Sequence, residues 1–483
     1  MSSLISKPVR RPAPLGSAAA GLLAALAGIA PARAQEVPAP ADSAQAAAPG
    51  LDEIDQKLRI LERKLEVKEE EEATKKEQNA TVTAGKDGFS LVSADKESVL
   101  KFRFFSHADG RAYFEPGHER KLANTLLLRR VRPIWEGTVY KYYNFRVMPE
   151  FAGTTQILDA YAELAYTPIA RLRVGKSKTP FGLERLKSSA DMDFIEFAHP
   201  TSLTPNYDLG LSLWGDLFEE ALSYSIGVWN GAVDGASRDA DLNDEKEVIG
   251  RVFALPFKNA AVEPLRGFGL GFAFSFGNKQ GDSVNTELPA YRSEGQQSLF
   301  AYRTGTRDTA AVRAYGDGWR INPQGYWYYG PFGLFGEYVR ASQEYARGGK
   351  YLGNVREYAH DAWQATVNWV VTGESPSFKS LKPRHPVGAG GFGAVELAGR
   401  VSRIRFDEAA FDKVDFASFA NVPTGAAVGI VREALTYDIG ANWYLSRAAK
   451  ISAGFALTRF DGGKADGDRP DEKALFGRLQ TQF

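Results

Sequence analysis

Basic side chains alternate with apolar ones along several short segments, and this spacing makes them candidates for binding anions. Lys101 and Arg103, for example, stand between Leu100, Phe102 and Phe104. Alternate side chains of a β-strand point to the same face, so the cations of such a segment lie together. Guanidinium and ammonium groups bind carboxylates and phosphates. The predicted anion-binding residues of this kind are Lys101, Arg103, Arg130, Arg132, Arg146, Arg171 and Arg173.

A second group of cations lies in the segment Lys176–Leu209, which shows no alternation. We expect this segment to be a loop that folds inward and forms a constriction. An ordinary external loop is the alternative. It also holds the acids Asp191, Asp193 and Glu196. The residues predicted to line the constriction are Lys176, Lys178, Arg185, Lys187, Phe197 and Tyr207.

Period-two alternation continues from about Thr81 to the end of the chain. In Gly267–Gly277, Phe or Leu occupies every second position, with Gly, Ala or Ser between. About 16 such segments fit into residues 81–483, a spacing typical of porins. Short and long polar connections also alternate, as they do in outer-membrane barrels. The pattern predicts an all-β fold, a 16-stranded antiparallel transmembrane barrel; a secreted sandwich or β-helix is the competing fold.

The barrel prediction also fixes where the basic residues point. A lipid-facing Arg or Lys near the membrane midplane costs about 2–4 kcal/mol, so these cations should face the lumen. Acids such as Glu136, Glu150, Asp159 and Glu163 fall on the same faces. The strip therefore predicts either a pore that prefers anions or ordinary wall salt bridges in a weakly selective pore.

The last residues support the same fold. Leu475, Gly477, Leu479, Thr481 and Phe483 share one face of a final strand, and no polar tail follows it. A terminal strand with one apolar face is typical of an outer-membrane barrel that closes on its own end. Phe483 is the predicted closing signal.

The N-terminal residues predict export. Residues 1–34 have a basic start, an apolar core and the small-x-small site Ala32-Arg33-Ala34, which indicates a signal peptide. Residues 35–50 form an Ala/Pro-rich linker. Residues 51–78 place Leu51, Ile54, Leu58, Leu61 and Leu65 at 3-4 spacing, which predicts a short coiled coil that leans toward trimers or tetramers. A lone solvated helix is the alternative.

Composition excludes several classes of protein. The chain has no cysteine, so an exported form has no disulfides. Its five histidines are scattered, and we predict no metal site, no cofactor and no catalytic residue. His360-Asp361 is the strongest hydrolase candidate, but a loop histidine is the simpler interpretation. No basic-aromatic pattern indicates nucleic-acid binding. A barrel enzyme and a structural or adhesive barrel remain as rival classes.

Six motifs follow one another across residues 124–231: Leu126-Leu127-Leu128-Arg129-Arg130-Val131-Arg132, Trp135-Glu136-Gly137, Leu158-Asp159-Ala160-Tyr161, Leu172-Arg173-Val174-Gly175-Lys176, Pro180-Phe181-Gly182-Leu183-Glu184 and Val228-Trp229-Asn230-Gly231. In this order they resemble the phosphate-selective porin O and P family. The resemblance implies a 16-stranded trimeric porin of the Gram-negative outer membrane for phosphate-like anions, with an inward-folded third external loop. It implies outer-membrane lipid, the assembly machinery and small anionic or hydrophilic solutes as partners, and a periplasmic N-terminal segment.

Two positions depart from the family pattern. Phe197 and Tyr207 stand where members of the family tend to have arginine. Neither aromatic ring can replace a guanidinium group as a bidentate phosphate ligand. We therefore expect passive diffusion of small hydrophilic solutes, either anions such as phosphate or polyphosphate, or a broader set that includes solutes able to stack on aromatic rings.

Overall fold

The computed structural model describes residues 50–85, 88–114, 123–240, 243–282, 284–304, 311–347, 354–414, 417–422, 429–464 and 467–483. The predicted signal peptide and all but the last residue of the predicted linker lie outside these ranges. The chain divides into two compact units, residues 1–71 and 72–483.

The first helix, α1, runs over Leu51–Gln78. Its acidic first turn, Asp52 and Glu53, suits the positive end of the helix dipole. Lys57 and Arg59 each pair with an acid one turn earlier in the chain. The apolar positions of the predicted heptads stay exposed, from 43% at Ile54 to 86% at Leu51. The predicted helix is therefore present. Its apolar stripe is exposed, and no described residue of this single chain covers it.

Sixteen strands, named β1 to β16 here, form a closed antiparallel barrel, which confirms the predicted fold. Every strand pairs with its two sequence neighbours, and β16 pairs with β1 to close the sheet. The strands are Val99–Tyr113, Thr125–Val139, Tyr143–Glu150, Gln156–Leu164, Arg171–Lys178, Tyr207–Leu217, Leu222–Trp229, Glu247–Ala254, Phe268–Gln280, Val312–Tyr329, Phe332–Arg347, Asn354–Val370, Ala394–Arg405, Val431–Tyr444, Ala449–Lys464 and Glu472–Gln482.

The chain end closes the barrel at the start of β1. Phe483 exchanges two backbone hydrogen bonds with Phe104, and its ring packs on those of Phe89 and Phe102. A short hairpin, Thr81–Gly85 and Gly88–Val92, pairs with β1 just beyond this point. The hairpin thus covers the edge of β1 that β16 is too short to reach, which protects it from pairing with another chain.

Side-chain alternation separates the two faces of the barrel as the sequence predicts. On β9, Leu270, Phe272, Phe274 and Phe276 are exposed on the outside, while Ala273 and Ser275 are buried inside. A lipid-facing surface needs apolar side chains of this kind. Among the described residues, no helix is long and apolar enough to cross a membrane.

Connections at the end that carries Phe483 are mostly short, which marks it as the periplasmic end. Two of them are longer than the sequence pattern led us to expect. Residues 255–267 contain the short helix α3, Glu263–Arg266, and residues 371–393 run from β12 to β13. In the second, Leu381 is buried and packs with Val370 and Tyr444 at the barrel wall.

External connections fill much of the opposite half of the lumen. The β9–β10 connection forms a hairpin, Tyr291–Arg292 with Ser298–Phe300, whose rings are fully buried. Phe300 stacks on Phe406 at 4.7 Å between ring centroids. The β13–β14 connection adds the short pair Lys413–Val414 and Ala417–Ser418. Among the described residues, the largest apolar cluster therefore lies inside the barrel, where loops meet the lumenal wall.

Candidate functional site

The connection between β5 and β6, residues 179–206, folds into the lumen and is named the constriction loop here. It carries the short helix α2, Leu183–Leu186, and the 3-10 turns Ser189–Asp191 and His199–Leu203. It is shorter at both ends than the segment predicted from the sequence. Lys176 and Lys178 end β5 and Tyr207 begins β6, because the two strands keep pairing up to Lys178 and Tyr207. The alternation of apolar and polar residues ends there, although the backbone pairing of the two strands continues.

The loop crosses the lumen and bonds to the opposite wall. The backbone nitrogens of Leu183 and Glu184 donate to the Glu337 carboxylate, at 2.6 and 3.2 Å. The His199 nitrogen donates to Ser402 Oγ at 2.9 Å. Farther along, Lys450 donates to the Met192 carbonyl at 3.0 Å. These bonds satisfy four backbone groups of the loop and fix its position across the pore.

Arg400 on β13 forms the centre of this anchoring. Its guanidinium is completely buried and pairs with Asp438 at 2.9 Å, Glu184 at 3.1 Å and Glu294 at 2.8 Å. Glu294 comes from the external hairpin and Glu184 from the constriction loop. Burial raises the pKa of Glu294 well above its usual value, although Arg400 opposes this. One arginine thus ties two inward-folded loops to the wall.

Glu196 of the constriction loop neutralises a second group of arginines. Its carboxylate lies 2.5 Å from Arg111 and 3.4 Å from Arg129. Burial would raise the pKa of Glu196, but the field of Arg129 and Arg111, with Arg130 and Arg478 behind them, lowers it to about 2. The carboxylate is therefore ionised at neutral pH.

The predictions from the sequence did not include Arg129 and Arg111 as functional residues. The register between β1 and β2 shifts at His107 and Ala108, so Arg129 is left over as a bulge and contacts the lumenal loop beside Arg130. Strict alternation would have placed Arg129 on the lipid side. The adjacent pair Arg129-Arg130 was the available signal, because two neighbouring arginines cannot both be lumenal on a regular strand.

Phe197 lies between two cations. Arg130 and Arg185 approach its ring at 5.8 and 4.8 Å from the centroid. Arg130 also donates to His107 Nδ1 at 3.2 Å, and Arg185 donates to the Thr201 carbonyl at 2.5 Å. The aromatic residue that replaces an arginine is thus held by the electrostatic attraction between cations and its ring.

The remaining predicted constriction cations are also held internally. Lys176 pairs with Asp239 of the next external loop, and Lys187 pairs with Asp193 at 2.7 Å. Lys178 donates to the carbonyls of Arg185 and Lys187 and lies 5.8 Å from the Tyr207 ring. These cations support the loop.

Carboxylates accompany most of the predicted wall cations. Five of the six predicted wall arginines lie within about 3 Å of an acid on a neighbouring strand, the range of a direct ion pair, whereas Arg130 donates to His107 instead. The pairs are Arg103–Glu136, Arg132–Glu150, Arg146–Glu136, Arg146–Asp159, Arg171–Asp216 and Arg173–Glu163. Arg171 and Arg173 also stack on Trp214. The wall therefore contains the salt bridges that the sequence left as an alternative.

A cavity of about 710 Å³ opens on the periplasmic side of the constriction loop. Ser188, Ala190 and Asp191 of that loop line it. Its acidic side chains are Glu136 and Asp191. Its cations are Lys101, Arg103, Arg146, Lys379, Lys382 and Arg447. Six basic side chains thus face two acidic ones, so we name it the basic cavity.

Three of these cations are free to meet a solute. Lys101, Lys379 and Lys382 are exposed, and in the described part of the chain none of their ammonium groups has an ion-pair partner. Lys379 and Lys382 belong to the long periplasmic connection 371–393, which the sequence did not single out. Ser380 of the same connection donates to the Ala190 carbonyl at 3.0 Å, so it touches the constriction loop directly.

The geometry does not form a catalytic site at His360. Its Nδ1 accepts from the Asp407 backbone nitrogen at 3.1 Å, so the ring proton lies on Nε2, 2.8 Å from the Tyr302 hydroxyl. Asp361 points to the outer face and pairs with Arg405. His360 and Asp361 thus face opposite sides of the strand. Across the described residues, no group of three or more His, Cys, Asp or Glu side chains is placed to hold a metal ion.

A closed 16-stranded barrel with an apolar outer face, short periplasmic turns and a loop folded across a polar lumen defines an outer-membrane porin. The family model of phosphate-selective porin O and P matches residues 101–483, and the chain belongs to this family. It is located in the outer membrane of a Gram-negative bacterium.

Solved structures share the fold at low identity. OmpT of Vibrio cholerae, expressed in the outer membrane, is 9% identical, covers 80% of this chain and 98% of its own, and has a TM-score of 0.50. The outer-membrane channel DcaP of Acinetobacter baumannii is 10% identical, covers 82% of this chain and 100% of its own, and has a TM-score of 0.49. No curated protein matches the chain significantly.

Proposed function

We propose that this porin passes small hydrophilic solutes by passive diffusion and prefers anions. The observation that carries the proposal is the excess of cations in the basic cavity, where, among the described residues, no carboxylate forms an ion pair with Lys101, Lys379 or Lys382. A lumen lined by one sign of charge raises the local concentration of counter-ions. Phosphate and similar oxyanions are the solutes that such a cavity suits best.

We expect phosphate to be bound weakly. The arginines beside the constriction loop are already engaged with carboxylates, carbonyl oxygens or Phe197. A guanidinium that forms such contacts must break them before it can bind a phosphate. Anion preference in this pore then arises from the field of solvated lysines, which attracts any small anion, and the family's phosphate selectivity is reduced.

The porin is also proposed to be a trimer with α1 in the periplasm. The exposed stripe of Leu51, Ile54, Leu58 and Leu61 supports this, because leucine at a and isoleucine at d favours more than two helices. Two further copies of α1 are the proposed occupants of the stripe. Thiol crosslinking of a Leu58→Cys variant that gives trimers of whole barrels would support this assembly. Loss of trimers in a chain that begins at Thr81 would assign the assembly to the helix.

The test of the function is the zero-current potential of the purified protein in a planar bilayer under a salt gradient. We expect a sign that reports anion preference and a half-blocking phosphate concentration in the millimolar range. The variant Lys101→Gln/Lys379→Gln/Lys382→Gln should lose most of that preference at nearly unchanged conductance. Equal permeability to anions and cations in the natural protein would favour a general pore instead. The absence of any conductance would favour a structural barrel.

A further inference from the structure

The outer face of the barrel carries charges that the lumen does not explain. Arg340 on β11, Asp361 on β12, Arg403 and Arg405 on β13 and Glu433 on β14 all occupy outward-facing positions. In the barrel register Arg340 lies opposite Asp361, and Asp361 lies opposite Arg405. We name this group the outer arginine patch.

Alternation along β12 places the patch outside the barrel. Asp361 shares its face with Trp363, Val367 and Trp369, and the last two are 54% and 46% exposed. Gln364 lies on the opposite face and bonds to the constriction loop in the lumen. The patch therefore faces the membrane and not the pore.

The height of the patch is set by its neighbours along the strands. Toward the periplasm, the outward residues are apolar: Val401 on β13, Tyr437 and Ile439 on β14. Toward the external loops, Glu344 pairs in register with Glu357. The patch thus begins where the apolar band ends on the external side, at the level of lipid headgroups, where a charged side chain costs far less than at the membrane midplane.

The ion pairs inside the patch leave donors unused. Asp361 accepts twice from Arg405, at 3.0 and 2.9 Å, and lies 3.6 Å from Arg403. Glu433 lies 3.7 Å from Arg403. Arg403 Nε has no hydrogen-bond partner, and among the described residues no carboxylate pairs with Arg340. Three guanidinium groups carry fifteen N–H donors, roughly five each, which two carboxylates cannot satisfy.

We propose that the outer arginine patch binds a phosphate group of an outer-leaflet glycolipid, with Arg340, Arg403 and Arg405 as its ligands and Asp361 as the residue that orients two of them. Arginine in clusters is suited to phosphate because its planar fork presents paired donors. A lipid is the occupant because the patch faces outward at headgroup depth beside exposed aromatic and aliphatic side chains. Its phosphate chemistry is shared with free inorganic phosphate, which the experiment must separate.

The decisive experiment measures binding of fluorescent bisphosphorylated lipopolysaccharide to the purified full-length porin. Arg340→Gln/Arg403→Gln/Arg405→Gln should weaken binding at least tenfold. Lys258→Gln/Arg266→Gln, which removes two cations from the periplasmic end, is the matched control and should bind as the natural protein does. Removal of the phosphates from the lipid should weaken binding to the natural protein at least as much as the triple substitution weakens binding of the bisphosphorylated lipid. Millimolar inorganic phosphate should fail to displace the lipid.

Three outcomes would overturn the proposal, and the first is lipid binding that the triple variant keeps at full strength. Equal binding of the dephosphorylated lipid means that the barrel recognises acyl chains or sugars instead of phosphate. Displacement by inorganic phosphate means an anion site without a lipid preference. Unchanged heat-modifiable migration and single-channel conductance show that the triple variant is folded with an intact lumen. Because those readouts depend on the lumen, failure of this proposal leaves the pore function standing, and the reverse also holds.

Discussion

The constriction loop and the basic cavity are both rich in cations, yet only the cavity leaves them free. Around the loop, Arg400 meets three carboxylates and Glu196 meets two arginines. In the cavity, Lys379 and Lys382 meet none within the described ranges. The comparison shows that the number of cations in a pore does not give the number that can attract a solute, because paired cations are already neutralised by neighbouring acids.

Burial explains the difference between the two regions. The loop is packed against the wall, and a charge that is removed from water must be paired to be tolerated. The cavity lysines stay in contact with water, so they need no partner. A residue type alone thus carries no role; its depth in the barrel decides whether it supports the loop or attracts a solute.

The largest expected effect comes from removing the centre of the anchored region. Arg400→Met leaves the carboxylates of Glu184, Glu294 and Asp438 buried without their cation. Breaking a buried pair of this kind costs about 3–5 kcal/mol. We expect the barrel to unfold at a lower temperature, measured as the shift in gel migration on heating. We also expect noisy channels of larger conductance, because the two loops are released.

Arg403→Met is the matched control for Arg400→Met. It lies on the same strand, but its pairs are partly exposed and longer, at 3.6 and 3.7 Å. Pairs of this kind contribute about 0–1 kcal/mol. Equal loss of stability in the two variants would contradict the claim that the lumenal cluster anchors the loops.

The second change returns cations to the anchored region. Glu196→Gln leaves Arg111 and Arg129 without their carboxylate, so we expect stronger anion preference in the zero-current potential together with lower stability. The pKa of Glu196 is about 2 instead of 4.5, which corresponds to about 3 kcal/mol of folded-state stability. Because the folded-state pKa is the lower one, this stability is present above pH 4.5 and is lost as the pH falls toward 2.

Thermal unfolding of the natural protein and the variant between pH 6 and pH 2 checks that sign. Their stabilities should converge as the pH approaches 2. Glu97→Gln is the control, because Glu97 pairs with the exposed Lys141 at the periplasmic end. A variant whose selectivity equals that of the natural protein would show that the Glu196 arginines do not reach the solute.

The barrel could be read from the sequence because its signal is local. Alternation along β9 or β12 reports an apolar outer face whichever strands are its neighbours. The ion pairs could not be read, because Arg400 meets Glu184 and Glu294 from two distant loops. The bulge at Arg129 and the inward course of residues 371–393 also depend on register and packing that a single strand does not encode.

The third change tests the aromatic residue that departs from the family. Phe197→Arg brings a third guanidinium beside Arg130 and Arg185 and removes the ring that both contact. A phosphate can bridge these cations, so we expect about tenfold stronger phosphate block, equivalent to about 1.4 kcal/mol. Phe197→Leu is the control, since it removes the ring without adding charge. Unchanged block in Phe197→Arg would mean that solutes do not approach this position.

The smallest expected effect needs no mutation. The Debye length falls from about 10 Å at 0.1 M salt to about 3 Å at 1 M, and solvated charges are screened far more than buried ones. If anion preference arises in the basic cavity, the permeability ratio should decline toward unity over this range. A ratio that stays constant would place the selectivity at buried, anchored cations instead. The comparison between the two regions would then be reversed, because the paired arginines of the constriction would be the ones that solutes sense.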